Sequence, residues 1–338
     1  MSVPLWVWGA TTALVVAMIL VDFFAHVRKP HEPTFRESAT WSIFYVAIAL
    51  VFGIGVGVVS GWTYGGEYFA GYVTEKALSV DNLFVFLIIM TKFAVPRAYQ
   101  QKVLLVGVAI ALVLRTVFIL VGAAAIEEWS WVFYVFGGFL VYTAIKLARE
   151  KHDGDVEHEA VEEKDSLAVR TLKRVLPTTE KYHGDRLTVV VDGKRLVTPM
   201  LLVMAAIGST DILFALDSIP AIYGLTQEPY LVFTTNAFAL LGLRQLYFLL
   251  GGLLERLVYL SQGLSVILGF IGVKLVLHAM HTNELSFVNG GEPFLWAPEI
   301  PTWLSLSVIL ATLAVATVAS LHKTRKDAGR VEAPTSVG

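Results

Sequence analysis

Four acidic residues lie inside two of the most apolar stretches of this 338-residue chain. Glu75 and Asp81 belong to the run GYVTEKALSVDNLFVFLII, and Asp211 and Asp217 belong to the run AAIGSTDILFALDSIPAIY. In a membrane-spanning helix each such carboxylate costs about 2.5–3.5 kcal/mol to insert, so it is retained mainly where it has a partner or a function. These four carboxylates are therefore the first candidates for a functional site.

Hydroxyl and amide side chains lie on the same helix face as one acid of each stretch. Glu75, Ser79 and Asn82 stand at positions i, i+4 and i+7, which lie on the same side of a helix. Asp211 and Ser218 repeat the first and the last of these positions. Both stretches therefore predict a stripe of oxygen atoms along an otherwise apolar helix.

Two arginines give Asp81 and Asp217 an alternative role, since these acids lie about 100° round the helix from that stripe. Arg115 and Arg244 each interrupt an apolar run. If they pair with those two acids, the ion pairs lock the two halves of the chain together without contacting a substrate. We expect one acid in each half to be paired in this way, which leaves the other acid free to bind a cation.

The available ligands favour a hard divalent cation. Carboxylate, amide and hydroxyl oxygens suit Mg²⁺, Ca²⁺ and Mn²⁺, and the sequence contains no cysteine to bind softer metals. The predicted cation ligands are Glu75, Ser79, Asp81, Asn82, Asp211, Asp217, Ser218 and Asn236.

We expect no tightly bound cofactor, no enzymatic activity and no nucleic-acid partner. The sequence has no P-loop to couple ATP hydrolysis, and no Ser/Lys or zinc-type motif lies inside an apolar run. Neighbouring carboxylates let protons and a metal ion compete for one site, so a proton gradient is the expected driving force. The sequence leaves the oligomeric state open.

The composition indicates that lipid surrounds most of the chain, because 56% of the residues are hydrophobic and only 16% are charged. Apolar runs of about 20 residues match the roughly 30 Å hydrocarbon core of a bilayer. The first run lacks the features of a cleaved signal peptide, so we expect it to be retained. The nine predicted spans are approximately 5–24, 41–60, 66–91, 102–125, 129–148, 198–223, 230–251, 257–278 and 301–321.

The charges of the connecting loops predict the orientation. The loops after the first, third and fifth spans are rich in lysine and arginine, whereas those after the fourth and eighth spans carry glutamate without either base. The positive-inside rule therefore places the N-terminus outside and the C-terminus in the cytoplasm of a multi-pass protein of the cell membrane.

The two acidic stretches also predict an inverted repeat. EKALSVDNLF aligns with DILFALDSIP without a gap, which places Glu75 on Asp211, and Arg115 falls on Arg244 further along. The first stretch runs inward and the second runs outward, so the two three-helix units have opposite orientations. Inverted repeats are typical of transporters, in which the substrate binds near the midplane between the repeats.

The predicted fold is an all-α polytopic membrane protein in four parts. Residues 1–149 form an N-terminal membrane half that contains repeat 1, about 66–148, and residues 198–322 form a C-terminal half that contains repeat 2, about 198–278. Residues 150–197 form a cytoplasmic loop, in which the pair Asp192-Gly193 between β-prone runs indicates a hairpin. Residues 323–338 are predicted to be a disordered cytoplasmic tail.

Three long motifs resemble the TerC family of integral membrane proteins, which is named for tellurium resistance. They are EKALSVDNLFVFL, TDILFALDSIPAI and TTNAFALLGLRQLYFLL, and the similarity covers roughly residues 5–321. Members of this family, which belongs to the wider lysine-exporter superfamily, include Alx-like manganese exporters. The resemblance therefore implies Mn²⁺ efflux from the cytoplasm.

The resemblance also implies which residues act, since the family has an acidic pair in each repeat. These pairs correspond to Glu75 with Asp81 and to Asp211 with Asp217. Many members have a further glutamate three residues before the position of Asp211, where this chain has Gly208. The ligand set that the resemblance implies is therefore open at this position.

Two other functions remain open at the level of sequence. A membrane scaffold would organise a metal or tellurite stress-response complex through the cytoplasmic loop. An exporter of an organic solute such as an amino acid is consistent with the superfamily.

Overall fold

Helices make up nearly all of the described structure, as expected for a chain of this composition. The computed structural model describes residues 1, 3–27, 31–129, 131–149, 167–191, 193–250, 258–285, 288–294 and 296–331. Within these ranges some side chains, including that of Asp81, lie outside the described part. The acidic run of the predicted cytoplasmic loop, at 150–166, also lies outside it.

The elements follow one another in this order: α1 Leu5–Asp22, α2 Phe35–Ser60, α3 Trp62–Lys92, α4 Arg97–Glu128, α5 Val132–Arg149, α6 Leu167–Val175, β1 Thr188–Val191, β2 Lys194–Val197, α7 Pro199–Tyr223, α8 Pro229–Leu240, α9 Leu243–Leu250, α10 Leu260–His281 and α11 Thr302–Val331. A π-helical turn, Phe23–Val27, continues α1, and a 3₁₀ turn, Asn289–Gly291, precedes α11.

Seven of the described helices are long and apolar enough to cross a membrane, namely α1, α2, α4, α5, α7, α10 and α11. The prediction of nine spans is therefore not confirmed. The two remaining predicted spans coincide with α3 and with the pair α8 and α9. Charged residues interrupt the apolar sequence of α3, and α8 and α9 have only 12 and 8 residues.

The predicted span 230–251 is broken in the middle, which corrects the expectation of one continuous helix. Leu241 adopts an extended backbone after α8, and Gly242 has φ +82°, a left-handed conformation that glycine adopts most readily. A Cβ atom on Gly242 would lie 3.1 Å from the Cβ of Tyr45 on α2. The backbone conformation thus favours glycine at the break, and the contact with Tyr45 leaves little room for a side chain.

The long helices run in alternate directions between two ends of the bundle. We call the end at residues 92–97, where α3 passes to α4, the basic end, and the end at residues 128–132, where α4 passes to α5, the acidic end. α3 packs against α2, α7, α8 and α11, so it lies at the centre of the bundle.

Helices α5 and α10 approach most closely where two glycines face each other. A Cβ atom on Gly137 would lie 2.8 Å from the carbonyl oxygen of Gly272, and one on Gly272 would lie 2.9 Å from the carbonyl oxygen of Gly137. The absence of side chains at both positions therefore sets the distance between these helices.

A small segment, residues 167–197, covers the basic end. In it β1 and β2 pair antiparallel, with Val189 opposite Leu196. The hydroxyl of Tyr182 donates to the carbonyl of Phe93 at 2.8 Å, and burial raises the pKa of this tyrosine to about 12. These contacts attach the segment to the end of α3.

An ion pair attaches the same segment to α4. Lys102 Nζ lies 2.6 Å from Asp185 Oδ2, and this hydrogen bond lowers the pKa of the carboxyl group.

The last helix, α11, is longer than predicted. It continues to Val331, beyond residue 323, where the sequence predicts that a disordered tail begins. Lysine, arginine and alanine are good helix formers, which accounts for this extension.

Candidate functional site

A buried arginine on α4 joins the two acidic stretches. The guanidinium of Arg115 is fully buried and donates to both oxygens of Asp211, from Nε at 3.3 Å and from Nη2 at 3.1 Å. Its Nη1 donates to Glu75 Oε1 and, at 3.2 Å, to Ser218 Oγ. When the amide of Asn82 is oriented to satisfy its neighbours, its oxygen accepts from Nη2 at 3.3 Å. Each of the five guanidinium N–H groups therefore has an oxygen acceptor.

This cluster of Glu75, Asn82, Arg115, Asp211 and Ser218, which we call the Arg115 cluster, unites residues from α3, α4 and α7. It contains four of the predicted cation ligands. One guanidinium faces two carboxylates, so the ionised groups of the cluster carry a net charge of −1 if both acids are ionised. The Arg115 cluster is thus a buried centre of opposite charges between the two acidic stretches.

The partners of Arg115 differ from those that the sequence predicts. Asp217 does not pair with either arginine in the described structure. Its Oδ1 instead accepts a hydrogen bond from Thr143 Oγ1 at 3.1 Å, since Asp217 faces α5 rather than α4. The side chain of Asp81 lies outside the described part, so the predicted pairing of that acid is not tested.

Arg244, which aligns with Arg115, has a different partner at the basic end. It donates to both oxygens of Asp22, at 3.1 and 2.7 Å, and to the side-chain oxygen of Gln101. Gln245 Nε2 also donates to Asp22 at 2.9 Å. The sequence predicts an arginine pairing with Asp217 and does not indicate Asp22, because Asp22 and Arg244 are 222 residues apart and only packing brings them together.

Several buried polar atoms near the middle of α3 and α8 have no hydrogen-bond partner among the described residues. They include Glu75 Oε2, Ser79 Oγ and both amide atoms of Asn236. Unpaired buried groups of this kind cost about 1–3 kcal/mol each, so they normally meet water or a ligand. All three side chains are predicted cation ligands, and the unpaired oxygens are of the type that a hard cation prefers.

A small cleft of about 90 Å³ adjoins the Arg115 cluster. Its polar lining consists of Asn82, Thr143, Lys146, Asp217 and Ser218, and apolar residues of α3, α5, α7 and α10 complete it. Since about 10–15 Å³ of such space is enough to hold one water molecule, the cleft has room for several. Asn82 and Ser218 belong both to the cleft and to the Arg115 cluster, so the cleft reaches the buried charges. We call it the Asp217 cleft.

A larger cleft of about 440 Å³ opens at the acidic end. Its charged lining includes Glu67, Glu228, Lys274 and Glu299, and Thr226 Oγ1 donates to Glu67 at 2.6 Å. Along α3, Glu67 lies 8 residues before Glu75, or about 12 Å at the helical rise of 1.5 Å per residue. The larger cleft therefore comes within about 12 Å of the Arg115 cluster, measured along α3.

The sequence reasoning missed some of these residues. Thr143, Lys146 and Glu67 are not among the predicted site residues, although Thr143 and Lys146 line the Asp217 cleft and Glu67 lines the larger cleft. The position of Glu67 inside a predicted span was a usable signal. Within the described part of the chain, no group of three or more histidine or acidic side chains forms a preassembled metal site.

The apolar helices and the buried charges at their centre define a polytopic α-helical membrane protein. The profile of the integral membrane protein TerC family matches residues 60–328. The chain belongs to this family.

The relatives support this membership. A membrane protein of Mycobacterium tuberculosis, named as uncharacterised, is 54% identical over 94% of this chain and 80% of its own length. A proposed membrane-bound redox modulator of Salmonella typhi, Alx, is 39% identical over 80% of this chain and 85% of its own length. The chloroplastic thylakoid membrane protein TERC of Arabidopsis thaliana is 42% identical over 73% of this chain and 62% of its own length. No solved structure matches the chain.

Proposed function

We propose that this protein is a secondary transporter that exports a divalent metal cation, Mn²⁺, from the cytoplasm in exchange for protons. The observation that carries the proposal is the Arg115 cluster, in which Glu75 of α3 and Asp211 of α7 meet inside the bundle. Fixed charges in the interior of a membrane protein are costly and are typical of ion pathways. In this proposal the protein lies in the cell membrane with the basic end in the cytoplasm.

The inverted repeat that the sequence predicts is consistent with this assignment. We propose that α3 to α5 and α7 to α10 are the two repeats, and that the ion crosses between them. Glu75 and Asp211, which the sequence alignment equates, lie on opposite sides of one guanidinium. Transporters built from inverted repeats bind their substrates at such an interface.

The size of the Asp217 cleft favours an ion over an organic solute. Its volume of about 90 Å³ is well below the roughly 300–1,000 Å³ of pockets that bind small organic molecules. The lining offers a carboxylate, an amide and hydroxyl oxygens, which are ligands of hard cations. We assign Mn²⁺ rather than another hard cation because of the resemblance to manganese exporters in the same family.

The charges suggest how a cation would pass. A divalent cation that enters from the Asp217 cleft is attracted by Asp217 and by the unpaired Oε2 of Glu75. To bind Glu75 and Asp211 fully it must compete with Arg115 for the same oxygens, so the guanidinium acts as a built-in counter-ion. When the cation leaves towards the acidic end, protons or Arg115 neutralise the carboxylates again.

Flux measurements test this function. In proteoliposomes with a trapped Mn²⁺-sensitive dye, we expect Glu75→Gln and Asp211→Asn each to reduce Mn²⁺ flux at least tenfold, because each variant removes a carboxylate ligand. Glu128→Gln, which changes an exposed acid at the end of α4, is the matched control and should transport normally. Unchanged flux after neutralisation of Glu75, Asp81, Asp211 and Asp217 together would refute the proposal.

A second candidate function rests on the cleft at the acidic end. Its volume of about 440 Å³ and its opposite charges, Glu67 and Lys274, fit a zwitterionic organic solute such as an amino acid. Calorimetric titration with Mn²⁺ and with lysine separates the two candidates. Binding of lysine without binding of Mn²⁺ would favour the organic solute.

A further inference from the structure

A lysine in the middle of α3 contacts the broken end of α8. Lys76 follows Glu75 directly, yet its side chain points away from the Arg115 cluster. Its Nζ donates to the carbonyl oxygen of Ala239 at 3.0 Å and lies 3.4 Å from that of Leu241. These two carbonyls belong to the last turn of α8 and to the residue after it.

The break explains why these carbonyls need a cation. The last four carbonyls of a helix have no intrahelical partner, and together they give the C-terminal end a partial negative charge. Here the end of α8 is buried, with Leu240, Leu241 and Leu243 all at most 5% exposed. Water therefore has little access to the carbonyls, and a positive charge beside them stabilises the break.

We propose that the α8–α9 break is a monovalent-cation site whose resident occupant is the ammonium group of Lys76. The chemical class that it accepts is a primary ammonium or an alkali cation, held by backbone carbonyl oxygens. In secondary transporters, the C-terminal ends of broken helices commonly bind the coupling cation. In this protein the cation is attached covalently to α3, so the wild-type protein requires no alkali ion at this position.

Lys76 is accordingly a positioning residue. It fixes the break, and the break separates Asn236 on α8 from Arg244 on α9. Because Glu75 and Lys76 are neighbours on α3, a movement of α3 that changes the contacts of Glu75 also moves the cation at the break. The inference concerns a cation distinct from the proposed substrate, and its role in transport rests on the proposed function.

The binding test uses thermal unfolding of the full-length protein in detergent. We expect Lys76→Ala to melt below the wild type, and we expect its Tm to rise by several degrees, in a saturable way, with NaCl or ethylammonium chloride. Choline chloride at equal ionic strength is too bulky to enter and should have no such effect. Lys92→Ala, at the end of the same helix, is the control and should show no ion-specific rise.

Further variants keep the test decisive. Lys76→Arg retains a cation and should behave like the wild type, whereas Lys76→Gln retains the length without the charge and should respond to the ions. A Lys76→Gln protein that melts like the wild type and ignores all three salts would overturn the inference, as would a response that is equal for sodium and choline. If Lys76→Ala does not fold, Lys76→Gln alone decides.

A transport measurement separates this inference from the proposed function. Ethylammonium or Na⁺ should restore Mn²⁺ flux at least partly in Lys76→Ala liposomes and should not change wild-type flux. If the wild type moves no Mn²⁺ at all, the proposed function fails, while the ion-specific rise in Tm still supports the site. If Mn²⁺ flux is normal but no ion stabilises or restores Lys76→Ala, only the site fails.

Discussion

Replacement of Arg115 by methionine is the sharpest test of the buried charges. Methionine keeps much of the volume but leaves Glu75 and Asp211 facing each other, both at most 1% exposed, without a counter-ion. Removing one partner of a buried ion pair costs about 3–5 kcal/mol, and here two carboxylates lose the same partner. We therefore expect a loss of about 5 kcal/mol, near the upper end of that range. With an unfolding entropy of about 2.1 cal/mol/K per residue, or roughly 0.7 kcal/mol/K for 338 residues, this loss lowers Tm by about 7 °C.

The cost should depend on what neutralises the carboxylates. Combining Arg115→Met with Glu75→Gln leaves one buried carboxylate instead of two, so the double variant should be more stable than Arg115→Met alone. Mn²⁺ should also stabilise Arg115→Met more than the wild type, because the cation no longer competes with the guanidinium. At a free concentration of 100 times Kd, a bound ligand contributes about 2.7 kcal/mol.

Thermal unfolding in detergent, with EDTA and with a Mn²⁺ titration, measures each of these effects. Arg97→Met is the matched control, since this arginine is exposed at the start of the same helix. The reasoning fails if Arg115→Met melts like the wild type in EDTA. It also fails if the losses from Arg115→Met and Glu75→Gln simply add, because the two side chains then do not interact.

Two further predictions concern the break and the segment at the basic end. Gly242→Ala should lower the free energy of unfolding by more than about 1 kcal/mol, measured by thermal unfolding, because alanine is strained at φ +82° and its Cβ meets Tyr45. An unchanged Tm would show that the break relaxes easily. Asp185→Asn should lower the free energy of local unfolding of residues 167–197 by well under 1 kcal/mol, because the ion pair that it removes is partly exposed. Since Lys102 lowers the pKa of Asp185 from 3.8, this contribution is present at neutral pH and is lost only as the pH falls below that value. Hydrogen exchange of the segment at pH 7 and pH 3, in the wild type and in Asp185→Asn, measures the contribution of the ion pair. Equal exchange in the two proteins at pH 7 would contradict the prediction.

Sequence reasoning found the charged residues of the site but not their partners. Glu75, Arg115 and Asp211 were all singled out because a charge inside an apolar run is conspicuous at the level of composition. Arg115 and Asp211 are nevertheless 96 residues apart, and which acid meets the guanidinium depends on how α3, α4 and α7 are rotated against each other. Periodicity along one helix contains no information about that rotation.

The number of spans shows the same limit. Hydropathy identified every apolar run, but it treated residues 230–251 as one helix because leucine and alanine continue across the break. The break depends on the left-handed backbone of Gly242 against Tyr45, and on Lys76, which supplies a cation from another helix. Such a feature is visible only when the neighbouring helices are in place.

The sequence by itself determined that this is a helical membrane protein of the TerC family and that its acids lie inside apolar helices, because hydropathy and motifs are local properties of the chain. Only the tertiary structure decided that Arg115 holds Glu75 and Asp211 together, that Arg244 pairs with Asp22, and that Asp217 lines a cleft. The physical reason is that an ion pair forms where packing removes water and brings charges within about 3 Å, and packing depends on contacts between distant parts of the chain.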